Sequence, residues 1–194
     1  MENLLSVCLG IGLSAACGFR VFIPLLVMSI ASLSGHLAFS HGFHWIGTYP
    51  ALVVFATASV LEIAAYYIPL VDNLMDSIAG PAAVAAGILV SASSFVHLDP
   101  LLKWTFAIIA GGGAAAIFHG STALVRGAST ALTGGTGNHA VATAELEIAS
   151  GLSILAIALP LLSMIVIFAL LFLIIGKGFR KLLKPGRTEG ISPY

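Results

Sequence analysis

Apolar stretches near residues 4–33, 50–70, 78–96, 101–132, 140–159 and 161–178 take up most of the chain. Each is long enough to cross a bilayer, which takes about 20 residues of helix. Hydrocarbon offers no partner to a backbone N–H or C=O, so six such stretches confine the chain to an all-α, polytopic membrane architecture. Composition agrees: 59% of the 194 residues are hydrophobic and 8% are charged, where ordinary soluble domains carry about 25% charged residues. Eight basic and eight acidic residues cancel, so no global field points to nucleic acid, and lipids are the expected surroundings. Lys177, Arg180, Lys181, Lys184 and Arg187 crowd the C-terminal end, which the positive-inside rule places in the cytoplasm. Six spans then place the N-terminus there too, with His36, His41 and His44 outside. The start, Met1-Glu2-Asn3, has no basic n-region and reads as the beginning of a retained first helix. Cys8 and Cys17 share the first apolar segment and point in different directions, so a structural disulfide is not expected.

Segments one and four run to about 30 residues, more than one crossing needs, so each must tilt strongly, break or extend past the membrane. Pro24, four residues after Arg20, and the run Gly111-Gly112-Gly113 mark where breaks are expected. The halves also resemble each other. Ala56-Thr57-Ala58-Ser59-Val60-Leu61-Glu62-Ile63-Ala64-Ala65 is echoed by Ala142-Thr143-Ala144-Glu145-Leu146-Glu147-Ile148-Ala149-Ser150, and Pro69 and Pro160 mark the same joint. Three spans per copy is an odd number, so the second copy must insert upside down. The expected organisation is one three-helix repeat over 1–97, an inverted one over 98–178, and a basic cytoplasmic tail over 179–194. Glu62 pairs with Glu147 across a one-residue gap or with Glu145 without it, and the residues alone leave both open.

A carboxylate inside such a segment costs about 2.5–3.5 kcal/mol on insertion scales, so intramembrane charge is a functional candidate by default. Glu62 is flanked on both sides by apolar and small residues, and Tyr66 lies one turn later. Arg20, deep in segment one, needs an anionic partner. His119 occupies a comparable depth in segment four and can relay protons. Arg126, seven residues further on, reads more readily as an anchor at the inner interface. Asp72, Asn73 and Asp76 place two carboxylates at i and i+4 beside an amide, a spacing able to hold a hard cation, although a turn that caps the next span explains them as well. Asn138 ends the glycine-rich stretch Thr133–Asn138 that precedes Glu145.

No metalloprotease, nucleophile-elbow or phosphate-loop pattern occurs, and the chain does not read as an enzyme. No cofactor is implied. The segments Leu13–Pro24, Glu62–Asp72, Gly111–His119 and Gly134–Glu145 resemble a bacterial integral membrane family catalogued as domain of unknown function 4126. The resemblance covers most of the chain, implies a bacterial inner-membrane location, and favours Glu145 over Glu147. It brings no substrate with it. An acidic–basic pair is expected ahead of Pro69, and this chain has Tyr66-Tyr67 in its place.

The expected function is a small transporter or channel, proton-coupled and acting as a homodimer. It would move a cation, or less readily a small anion, through a midplane site built from Arg20, Glu62, Tyr66, His119 and Glu145. Asp72, Asn73, Asp76 and Asn138 would line the cytoplasmic side. A membrane scaffold or lipid-binding protein is the alternative, and a lipid-modifying enzyme with metal at the Asp72/Asp76 pair is a third.

Overall fold

The computed structural model describes residues 2–182, with the side chains of 69–77 and 174–182 outside that description. Among the described residues eight α-helices make up the fold: α1 (Glu2–Cys17), α2 (Phe22–Leu33), α3 (Tyr49–Tyr66), α4 (Pro69–Ser94), α5 (Pro100–Phe106), α6 (Gly113–Thr133), α7 (Asn138–Ala158) and α8 (Pro160–Leu182). No strand occurs among the described residues. Each apolar stretch of the sequence is mainly helical, the first in two pieces. Three helical spans are long and apolar enough to cross a membrane by themselves, Tyr49–Tyr66, Pro100–Thr133 and Asn138–Ala158, and shorter apolar helices accompany them. Large apolar side chains such as Leu124, Leu132, Ile165 and Phe172 point outward, whereas Arg20, Glu62, Arg126 and Glu145 are buried. That arrangement suits a solvent of lipid tails, and the chain is an all-α membrane protein.

Proline sets several helix starts. Pro50, Pro69 and Pro100 each fall in the first two positions of their helices, where the missing N–H would have no intrahelical partner anyway. Thr48 and Asp99 cap α3 and α5 with their side-chain oxygens. α4 begins nine residues ahead of the expected 78–96 span, so Asp72–Asp76 are helical rather than a turn between spans.

The two long segments interrupt themselves by different means. Segment one separates into α1 and α2 over residues 18–21. The break precedes Pro24, which lies in the first turn of α2, so proline shapes the restart and does not cause the interruption. Segment four stays helical but passes through a π-helical stretch, Ala107–Gly112, between α5 and α6.

α1 is the central helix, packed against α4, α6, α7 and α8. Residues 12–17 are all buried, which requires small side chains where backbones meet. The Ser14 hydroxyl donates to the Gly87 carbonyl at 2.6 Å and lies 2.7 Å from Ser91 Oγ, tying α1 to α4. Gly87 and Gly111 bring α4 against the π stretch: a Cβ on Gly87 would lie 3.0 Å from the Gly111 carbonyl oxygen. The loop after α2 folds back over the end of α4, where Ser40 N donates to Ser93 O and Ser40 Oγ to Ala92 O, both at 2.8 Å.

Candidate functional site

A helix that stops in the middle of a bundle leaves N–H donors without intrahelical partners at the start of the next. At the start of α2 the first such groups are those of Val21 and Phe22. Val21 has no side chain able to cap them. The cap comes from another helix: Glu62 of α3 accepts from Val21 N at 2.8 Å through Oε1 and from Phe22 N at 3.1 Å through Oε2. A carboxylate at a helix N-terminus meets both the orphan donors and the positive end of the helix dipole.

Arg20 precedes these donors and reaches toward α7. Its Nη2 donates to the Ala142 carbonyl at 2.8 Å and lies 3.7 Å from Glu145 Oε2. Ala142 and Glu145 are one turn apart on α7, so a single guanidinium touches both. Arg126 of α6 holds Glu145 with two bonds, from Nε to Oε1 at 2.9 Å and from Nη2 to Oε2. That forked geometry is the strongest form of the arginine–carboxylate pair. The Tyr66 ring lies between the two groups in distance, 4.0 Å from Arg20 Cζ and 4.2 Å from Arg126 Cζ. Its negative face is a second source of stabilisation for cations withdrawn from water.

Arg20 is 1% exposed, and its Nε and Nη1 have no hydrogen-bond partner among the described residues. The Ser59 hydroxyl, one turn before Glu62 on α3, is also buried and unpartnered among them. Buried donors are ordinarily satisfied, so these mark a place where something polar fits.

Arg20, Glu62, Tyr66 and Glu145 of the expected set therefore meet in one cluster. Glu145 is 4% exposed and paired, whereas Glu147 is exposed, so Glu145 is the one that joins the cluster. The His119 ring does not join: it is half-buried beside Gly80 of α4 and makes no hydrogen bond among the described residues. Its backbone is nonetheless close, since a Cβ on Gly18 would lie 3.0 Å from His119 N and 2.7 Å from the Ala115 carbonyl oxygen. Asn138, at the first position of α7, donates from Nδ2 to Thr130 Oγ1 at 3.0 Å and ties the two arms of the α6–α7 hairpin. The side chains of Asp72, Asn73 and Asp76 lie outside the described residues. Among the described residues, no three of His, Cys, Asp and Glu gather to hold a metal.

Arg126, which the sequence reads as an anchor, is 3% exposed and belongs to the cluster. A signal for this was present in the sequence. Arg126 stands eight residues before Gly134 and Glu145 eight after Gly137, so a hairpin turning through 134–137 brings them to the same height. The cluster also lies off the middle of α3, whose end is four residues past Glu62, about 6 Å at helical rise. Glu145 is seven residues into α7, about 10 Å from its start.

Two apolar recesses flank the cluster, one on each glutamate. A cavity of about 580 Å³ runs between α2, α3 and α4 past Glu62, and one of about 250 Å³ between α6, α7 and α8 past Glu145. No curated protein and no solved structure matches the chain. Over residues 7–177 it matches the model of the family described as a domain of unknown function (DUF4126), and the chain belongs to that family.

Proposed function

We propose that this is a small transporter of a bacterial cytoplasmic membrane, with both termini inside, and that its substrate site is the charge cluster at the break between α1 and α2. The carrying observation is the restart of α2. Its first N–H groups are held by a carboxylate from a different helix, at a point where two donors of a deeply buried arginine have no partner among the described residues. Discontinuous helices whose half-helix ends meet buried charge are how secondary transporters build ion and substrate sites. A scaffold would gain nothing from buried arginine donors left without partners among the described residues.

The donors favour an anion over the cation that the sequence suggests. Both Glu145 oxygens are engaged by Arg126, and both Glu62 oxygens by backbone N–H groups, so neither offers a free cage for a metal ion. Glu62 is the coupling residue: on taking a proton it loses the charge that holds the α2 terminus. The charged groups that face it are Arg20 and Glu145, with the Cys17 thiol beside it, while the α4 side chains at 69–77 lie outside the described residues.

Proteoliposomes carrying a pH-sensitive dye test this. The reading expects proton movement driven by a small-anion gradient, abolished in Glu62→Gln with the protein still folded. Flux that Glu62→Gln leaves unchanged, or silence of the unsubstituted protein across both anion and cation panels, overturns it.

A further inference from the structure

We infer that the site takes a small monocarboxylate with an apolar tail, and that Glu62 is an internal stand-in for that substrate's head group. This rests on reading the cluster as a substrate site. Glu62 presents to Val21 N and Phe22 N what a free carboxylate would present, one oxygen to each N–H, at 2.8 and 3.1 Å. The site is thus shaped for a planar, two-oxygen anion and is occupied by one.

Three further features assign the rest of the ligand. Arg20, 1% exposed, supplies the positive charge, and its Nε and Nη1 donors are unpartnered among the described residues. An arginine with spare donors beside a two-oxygen site is suited to carboxylate recognition. The cavity of about 580 Å³ between α2, α3 and α4 begins at the N–H pair that Glu62 holds: Val21, Phe22, Glu62 and Tyr66 border it, and Leu61 and Ile78 are among the apolar residues that complete it. A head group at the α2 terminus therefore places its tail against aliphatic side chains. Inorganic anions would leave that space unused, and a cationic amphiphile would meet Arg20 and two N–H donors head-on. When the substrate's carboxylate takes the N–H pair, Glu62 must leave it, so substrate and Glu62 compete for one seat.

Competition gives the test. The detergent-purified full chain is titrated with butyrate, with chloride and with butylammonium, reading the shift in melting temperature. Butyrate is expected to stabilise the protein, and butylammonium is not. Glu62→Ala vacates the seat, so the butyrate Kd is expected to fall by at least about tenfold, two charge-assisted hydrogen bonds no longer being displaced. In the same variant, butyrate should restore melting temperature lost with the cap. Arg20→Gln should remove binding, and Arg20→Lys should restore part of it. If Glu62→Ala does not fold, Glu62→Gln serves, since its carboxamide keeps an acceptor but loses the charge, and tighter butyrate binding is again expected. Equal response to butyrate and chloride, preference for butylammonium, or a Kd for butyrate unchanged by loss of the Glu62 charge overturns the inference. Flux and binding separate the two ideas: flux of another ion without carboxylate binding removes this inference alone, whereas carboxylate binding without any flux removes transport and leaves the site.

Discussion

Two glutamates sit on α3 and α7, in sequence contexts that almost repeat, and the fold uses them differently. Glu145 is clamped side chain to side chain: Arg126 takes both its oxygens, and Arg20 approaches at 3.7 Å. Glu62 has no arginine bonded to it among the described residues and holds backbone instead, the two N–H groups that open α2. The contrast follows from how each long segment is interrupted. Segment one breaks outright and leaves orphan donors at the α2 start that Glu62 meets, whereas segment four stays helical through its π stretch and meets Glu145 with the side chain of Arg126. One carboxylate is thereby committed to structure, and the other, in the function proposed above, closes a seat that a different anion can take.

The largest expected effect is on the clamp. Removing one partner of a buried pair leaves an uncompensated charge, so Arg126→Ala or Glu145→Ala should cost about 3–5 kcal/mol in an unfolding titration of the purified protein. A cost no greater than that of a lipid-facing substitution would mean that Glu145 is no clamp. Glu62→Ala should cost less, about 1–3 kcal/mol for two backbone donors left unpaired, while abolishing coupled flux. If instead Glu62→Ala proved the more destabilising of the two, the assignment of structural and working roles would be reversed.

Gly18→Ala probes the break itself. A Cβ there would lie 2.7 Å from the Ala115 carbonyl oxygen and from Phe118 Cβ, so α1 must move away from α6 at a cost of about 1–3 kcal/mol. Because the donors at Val21 and Phe22 follow three and four residues later, flux should fall with stability; normal flux would place the working geometry elsewhere. Tyr66→Leu removes the ring from both guanidinium groups and should cost about 0.5–2 kcal/mol. Ser14→Ala loosens α1 from α4 far from the charges. It should cost about 0.6 kcal/mol, the mean for hydrogen bonds between membrane helices, with coupling intact.

Much of this was legible in the sequence because hydrocarbon leaves few choices. Apolar length locates most of the helices, and the joint read at Pro69 and Pro160 falls at the starts of α4 and α8. Buried charge picks out Arg20, Glu62 and Glu145 for the same reason. What escapes is anything set by contact between segments. The break lies at 18–21 rather than at Pro24 because Gly18 must touch α6 and Glu62 must reach the α2 terminus, and neither neighbour is visible from segment one. Arg126 reads as an anchor because nothing within its own helix says that Glu145 stands opposite. His119 shares the depth of the cluster but not its direction, which depends on how α6 is turned against α4.

Access to the space beside Glu62 tests the central claim most directly. Ala65 borders the cavity that leads to the α2 terminus, and both native cysteines are buried. In a Cys8→Ala/Cys17→Ala background, Ala65→Cys in sealed proteoliposomes is treated with a charged, membrane-impermeant thiol reagent from each side. The account predicts labelling from one side, slowed by butyrate; a folded protein that stays unlabelled from both sides would contradict it.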